Sequence, residues 1–211
     1  MTPFAAIVGG GTAGLLGAAL AHVLSTLADR AGAGSFLRGP YGPQFFLIAL
    51  YTAVFYAAIG AAAGRRATTT LAGFLGPLLG IASVMAALTR YSGWGMPRGL
   101  GGTPQWQLAV VVIYTATIWC TIAIIGALSA ETSWWRGALA AVLGSVAGYG
   151  VLSFILWAVP SYAKTRWSPV SFLPSPVNLM DGLLSGAGLC LALSLDAKLR
   201  RNACALKAPS P

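Results

Sequence analysis

The chain has 211 residues, of which 57% are hydrophobic and 8% are charged, and its formal net charge is +9. A soluble globular domain carries about 25% charged residues, so the 4 carboxylates found here are too few to solvate a water-soluble surface. The composition therefore excludes an ordinary soluble domain and predicts a protein embedded in lipid. The Lys and Arg residues are spread over the connections and the tail, which argues against a nucleic-acid partner.

Six apolar segments follow one another, each near the ~20 residues that are needed to cross a hydrocarbon core. We predict transmembrane helices at about 3–28, 45–64, 68–88, 106–130, 136–160 and 177–195. The predicted fold class is an all-α integral membrane protein, with six helices arranged as three hairpins. Residues 1–211 form a single transmembrane domain, and residues 196–211 form its short basic C-terminal tail.

The first segment contains FAAIVGGGTAGLLG, in which Gly9, Gly11 and Gly14 fit the G-x-G-x-x-G pattern of dinucleotide-binding loops. That fold requires a second strand before its acidic residue. The segment stays apolar up to Asp29 and leaves no room for such a strand. Small residues four apart instead allow two helices to approach closely in lipid. We therefore predict a helix-packing surface at this position.

The same glycine spacing recurs in other segments. The predicted packing residues are Gly10, Gly14, Gly60, Gly64, Gly76, Gly80, Gly144, Gly148, Gly182 and Gly186. They predict a closely packed bundle. They also favour other membrane proteins, or a second copy of this chain, as partners in addition to membrane lipids.

The connections between the segments differ in length, and they suggest an orientation. The first, third and fifth are long and rich in Gly and Pro, whereas the second and fourth are short. The motif KLRR at 198–201 directly follows the last segment, which favours the cytoplasmic side for this end. We predict a bacterial inner membrane protein with both termini in the cytoplasm and the long connections outside.

An internal repeat is suggested by two segments that begin with the same three residues. YTAVFYAAIGA from Tyr51 and YTATIWCTIAI from Tyr114 share four of eleven positions. Duplicated hairpins are common in transporters. Coincidence in a chain rich in alanine and glycine explains the match equally well.

Few polar side chains lie inside the segments, and the ionisable ones are candidates for a functional site. His22 and Asp181 are predicted to lie at similar depth near the outer side. They would form a pair in an outward-facing pocket. The other predicted members of that pocket are Asn178, Gln44, Gln105, Gln107 and Arg98. Alternatively, Asp181 caps the N-terminus of the last helix, and His22 bonds a nearby carbonyl.

Catalytic and metal-binding constellations have little support in this sequence. A single histidine cannot build a zinc site of the usual kind, and paired catalytic acids are absent from the spans. We therefore expect no enzyme activity, no metal site and no cofactor. Ligation of one haem or pigment by His22 stays open.

The stretch FLPSPVNLMDGLL at Phe172–Leu184 resembles the start of the last helix in the substrate-binding subunits of energy-coupling-factor vitamin transporters. Six spans, termini inside, three outer connections and a small-residue stripe on the first helix add to this resemblance. It implies a membrane subunit that binds a small solute under its outer loops. The sequence departs from the pattern at Asp181, where those proteins often carry Lys.

These observations predict a membrane protein of transport type. It would bind or pass a small solute through the outward-facing pocket without an energy source of its own. The alternative is a non-catalytic accessory or scaffold subunit of a larger membrane complex, which the recurring glycine pairs favour.

Overall fold

The computed structural model describes residues 2–33, 42–64, 67–92, 104–130, 133–159 and 174–207. Every regular element in these ranges is an α-helix, which confirms the predicted all-α class. The helices are α1 (Pro3–Arg30), α2 (Gly42–Gly64), α3 (Ala67–Ser92), α4 (Pro104–Ser129), α5 (Trp134–Ala158) and α6 (Pro176–Lys207). Their bounds lie within a few residues of the predicted spans, except at the end of α6.

The first helix has clear stop and start signals in its sequence. The Thr2 hydroxyl accepts a hydrogen bond from the Ala5 amide at 3.3 Å, and Pro3 occupies the first turn. At the other end Gly32 adopts a positive φ of 69°. The Ala33 amide then donates to the Ala28 carbonyl at 2.8 Å, as in a Schellman motif. The glycine-rich stretch of α1 is continuous helix between these ends.

The six helices form a closed ring. Each helix packs against the next one in sequence, and α1 also packs against α6 in the most extensive interface between the described helices. The predicted hairpins are thus joined into a circle by the first and last helices. Across the ring, α2 also reaches α4 and α6, so α2 lies closest to the interior.

Neighbouring helices of the ring run antiparallel. Between α1 and α6, Gly10 lies against Gly186 and Gly14 lies against Gly182, so the residue numbers rise along one helix as they fall along the other. Contacts at the other interfaces show the same opposite progression, as in the pairing of α5 with α6 through Gly144 and Gly148. Both ends of the described chain therefore lie on one face of the bundle, here called the terminal face. The opposite face is called the distal face.

Glycine makes these close approaches possible because it has no Cβ atom. A Cβ atom on Gly14 would lie within 3.0 Å of the Gly182 backbone, and one on Gly148 would collide with the Leu184 carbonyl. All ten glycines predicted to mediate packing meet another helix of the same chain in this way. In particular, Gly76 and Gly80 of α3 receive the side chains of Thr121 and Thr117 from α4.

The outside of the ring is apolar. Large hydrophobic side chains are exposed there, including Leu16, Leu20, Leu27, Leu139, Leu143 and Phe154. Trp135 and Trp157 are exposed near opposite ends of α5, about 33 Å apart at 1.5 Å per residue. Aromatic side chains at this separation suit the two interfaces of a bilayer whose core is ~30 Å thick. The protein is a polytopic membrane protein.

Within the described residues, five helices are long and apolar enough to cross a membrane: Pro3–Arg30, Phe46–Gly64, Val112–Ser129, Trp134–Ala158 and Pro176–Ala203. The apolar stretch found in α3, Ala67–Ser83, is shorter. Because α3 packs antiparallel between α2 and α4, it lies in the same layer as these five helices.

The last helix continues well beyond its predicted end at Leu195. Residues 196–207, which we predicted to be part of a tail, extend α6 to Lys207. Ala, Leu, Lys and Arg dominate this extension, and all four have high helix propensity. A salt bridge between Asp196 and Arg200, one turn apart, adds to its stability.

Candidate solute-binding site

The start of α6 places three polar side chains on one face of the helix. The Ser175 hydroxyl accepts a hydrogen bond from the Asn178 amide at 3.2 Å, so Ser175 caps the helix and Pro176 occupies the first turn. Asn178, Asp181 and Ser185 follow at spacings of three and four residues, which is the spacing of one helix face. Asp181 therefore is not the cap residue of this helix. The alternative interpretation of the sequence, in which Asp181 caps α6, is wrong.

The Asp181 carboxylate lies inside the bundle. Its Oδ1 atom accepts a hydrogen bond from the Ser185 hydroxyl at 2.9 Å. Tyr51 and Tyr56 of α2 lie within electrostatic range of this carboxylate. In the described part of the chain, no ion pair joins it to a Lys or Arg.

The wall opposite Asp181 is formed by an aromatic cluster on α2. The ring of Phe55 stacks on Tyr51 with centroids 6.2 Å apart, and it meets the edge of Tyr56 at 4.9 Å. Phe55 is 4% exposed, so it fixes the two tyrosines from within the core. The cluster forms a packed wall of the interior that carries the hydroxyl groups of Tyr51 and Tyr56.

A third helix, α4, contributes to the same interior. The Thr52 hydroxyl donates to the Ile48 carbonyl at 2.7 Å. The buried Tyr114 hydroxyl of α4 faces Thr52, although without a hydrogen bond of good geometry. Helices α2, α4 and α6 thus surround one polar cluster, which consists of Tyr51, Thr52, Tyr56, Tyr114, Asp181 and Ser185.

A cleft of about 140 Å³ adjoins this cluster. Among the described residues, it is lined by Leu47, Ile48 and Tyr51 of α2 and by Asn178 of α6. Tyr51 belongs both to the cleft and to the surroundings of Asp181, and Asn178 precedes Asp181 by one turn. The cleft is therefore an apolar space with a polar inner end.

His22 is buried on α1, with 1% of its surface exposed. The pairing of Gly14 with Gly182 sets the register of α1 against α6, and this register puts His22 level with Pro174. Asp181 is seven residues further along α6, about 10 Å closer to the terminal face. A direct pair between His22 and Asp181 would have to bridge this offset.

Ser25, which follows His22 on the same face of α1, contacts the wall of the cleft. The Ser25 hydroxyl lies 3.5 Å from the Leu47 carbonyl, which joins α1 to α2 at the distal end. For four other predicted pocket residues the structure does not describe the side chain. Arg98 is in none of the described ranges, and the side chains of Gln44, Gln105 and Gln107 are not described.

Sequence reasoning did not identify the tyrosines as site residues. In the sequence, Tyr51 and Tyr114 are singled out only as the first residues of a possible repeat. Thr52 and Tyr56 belong to the YTAVFY motif that begins at Tyr51. Hydroxyl-bearing residues within an apolar span are a usable signal, because lipid offers their hydroxyl groups no hydrogen-bonding partner.

Metal ligation is not suggested by the described residues. Among them, no three His, Cys, Asp or Glu side chains lie close enough together to hold a metal ion.

Comparisons of this chain with protein-family models, with curated proteins and with solved structures find no match. The vitamin-transporter resemblance is therefore carried by the sequence features alone.

Proposed function

We propose that this protein is of transport type and binds or passes a small solute through the cleft between α2 and α6. The observation that carries the proposal is the adjacency of the cleft to the interior polar cluster. An apolar space with a few convergent polar groups is the usual form of a small-molecule site. Leu47 and Ile48 supply the apolar surface, whereas Tyr51 and Asn178 supply the polar groups.

The proposal includes an orientation. With the terminal face in the cytoplasm of a bacterial inner membrane, the cleft lies toward the outside. The extension of α6 supports this choice, because it carries Lys198, Arg200 and Arg201 beyond the apolar part of the helix. The protein acts without an energy source of its own, so a solute moves down its gradient or is handed to another component.

The alternative role, an accessory subunit of a membrane complex, requires a surface that is free to bind a partner. The ten glycines that favoured this role in the sequence all pack within the chain. A partner, or a second copy of this chain, would therefore have to bind elsewhere on the ring. We favour the solute-binding role for this reason.

Filling the cleft tests the proposal. Ile48 lines the cleft and is 37% exposed, so tryptophan at this position occupies the cleft without replacing a fully buried side chain. We expect Ile48→Trp to slow solute entry severalfold in proteoliposomes that contain the purified protein. Entry of glycerol, alanine, butylammonium and butyrate is followed by the light-scattering change that accompanies osmotic swelling, and Tm is measured with each solute.

Ile7→Trp is the matched control, because Ile7 is 40% exposed and lies near the terminal end of α1. It should leave entry and Tm unchanged. If no solute enters faster than into protein-free liposomes, and none raises Tm, the proposed function is wrong. The same conclusion follows if both tryptophan variants slow entry equally.

A further inference from the structure

The carboxylate of Asp181 lacks a compensating positive charge in the described bundle. Its hydrogen bond comes from the neutral hydroxyl of Ser185, and the nearby groups on α2 are the tyrosines Tyr51 and Tyr56. Ionised carboxylates within membrane-spanning segments are usually paired or mark a ligand pathway. A cation bound beside Asp181 would balance this charge, so a cationic ligand is a candidate for this site.

The cleft adjoins the surroundings of this carboxylate through two of its lining residues, Asn178 and Tyr51. Asn178 lines the cleft one helical turn before Asp181 on the same face of α6. Tyr51 lines the opposite wall and lies within electrostatic range of Asp181. A ligand in the cleft would thus have its inner end directed toward Asp181 and its remainder against α2.

The lining restricts the rest of the ligand. Leu47 and Ile48 offer no hydrogen bonds from their side chains, so they suit a hydrocarbon portion. The ring of Tyr51 can attract a cation through its π face, and Asn178 can accept a hydrogen bond from an ammonium group. A cleft of about 140 Å³ has room for a hydrocarbon group of a few carbon atoms, because an engineered cavity of ~150 Å³ binds benzene.

We infer that the solute is a small monovalent organic amine, with its ammonium group at Asp181 and its hydrocarbon portion between Leu47, Ile48 and Tyr51. This inference rests on the proposed function and names the substrate class of the same site. An anion would be repelled by Asp181. A sugar would place hydroxyl groups against the two aliphatic side chains, which offer them no hydrogen bond.

Three probes of equal size test the inference. Butylammonium, 1-butanol and butyrate share a four-carbon chain and differ in the charge of the end group. In mild detergent, butylammonium should raise the Tm of the protein by linkage, and 1-butanol and butyrate at the same concentration and ionic strength should not.

Asp181→Asn should abolish the rise in Tm, since asparagine keeps the shape and can still accept the Ser185 hydrogen bond. Asp196→Asn removes the same charge from the same helix near the terminal face, and it should keep the full rise. Ile48→Trp should also abolish the rise while Asp181 is intact, which places the binding of butylammonium in the cleft.

Several results would overturn the inference. Stabilisation by 1-butanol or butyrate that equals the effect of butylammonium would do so, and so would a rise that survives in Asp181→Asn or disappears in Asp196→Asn. In the first case a solute still binds in the cleft, so the proposed function stands. Absence of any effect of butylammonium also overturns the inference, and the entry of glycerol or alanine then decides the proposed function separately.

Discussion

Replacing Gly14 by Val should lower the free energy of unfolding by about 3 kcal/mol, the upper part of the range for overpacked positions. A Cβ atom at this position would overlap the backbone of Gly182, which has no side chain to move aside. Helix α1 would have to separate from α6 along their whole interface. In lipid the bundle depends on such packing, because apolar surface gains little from leaving a solvent that is itself apolar.

Gly9→Val is the matched control for this prediction. Gly9 lies in the same helix, and a Cβ atom added there meets no atom within 4 Å. We expect its effect to be within about 0.5 kcal/mol, as for other surface substitutions. Unfolding in mixed micelles, followed by tryptophan fluorescence, gives both values. Equal destabilisation by the two variants would show that α1 does not pack against α6 through Gly14.

Phe55→Ala should destabilise the protein by about 3–5 kcal/mol, the usual effect of emptying a buried phenylalanine site. Phe55 is 4% exposed and holds Tyr51 and Tyr56 in place from within the core. Neighbouring backbone cannot close the resulting cavity, because α2 is in contact with three other helices and with α6 across the ring. The loss should appear in the same unfolding measurement.

Phe154→Ala provides the comparison for this second prediction. Phe154 is 64% exposed on the outside of α5, and lipid chains can fill the space that its ring leaves. Its effect should be within about 1 kcal/mol, since the aromatic contact with Trp157 is the main interaction lost. A larger effect of Phe154→Ala than of Phe55→Ala would contradict the position of α2 inside the ring.

Most of the fold could be predicted because hydrophobic length and glycine spacing are local properties of the sequence. The bounds of α1 to α5 follow from where polar residues interrupt the apolar runs. The end of α6 could not be predicted in this way, because residues 196–207 are polar enough to leave the membrane and still have high helix propensity. Hydropathy predicts which residues lie in the membrane, but it does not predict where a helix ends outside the membrane.

The glycine pattern predicted which residues approach another helix but not which helix they approach. Gly10 and Gly14 meet α6, the element most distant in sequence from α1, and this pairing depends on closure of the ring. The candidate site was predictable only in part for the same reason. Asn178 and Asp181 share a helix face that can be read from their spacing, whereas their proximity to Tyr51 requires that α2 and α6 meet across the ring.

The possible repeat has a structural counterpart at its first residues. Tyr51 of α2 and Tyr114 of α4 come into the same interior cluster, close enough to interact electrostatically. Both begin a YTA motif, so the two helices present the same residue type to one interior. The first residues of the two matching segments therefore belong to the same cluster.

The most direct test of the closed ring is a disulfide between α1 and α6 in intact membranes. In a variant whose three native cysteines are replaced by alanine, Gly11→Cys and Ala187→Cys place two Cβ atoms 3.5 Å apart, within the ~3.5–4.5 Å range of disulfides. We expect rapid and nearly complete intramolecular cross-linking upon oxidation, whereas Gly9→Cys with Ala187→Cys should not cross-link. Failure of the first pair, or equal cross-linking of both pairs, would contradict the account.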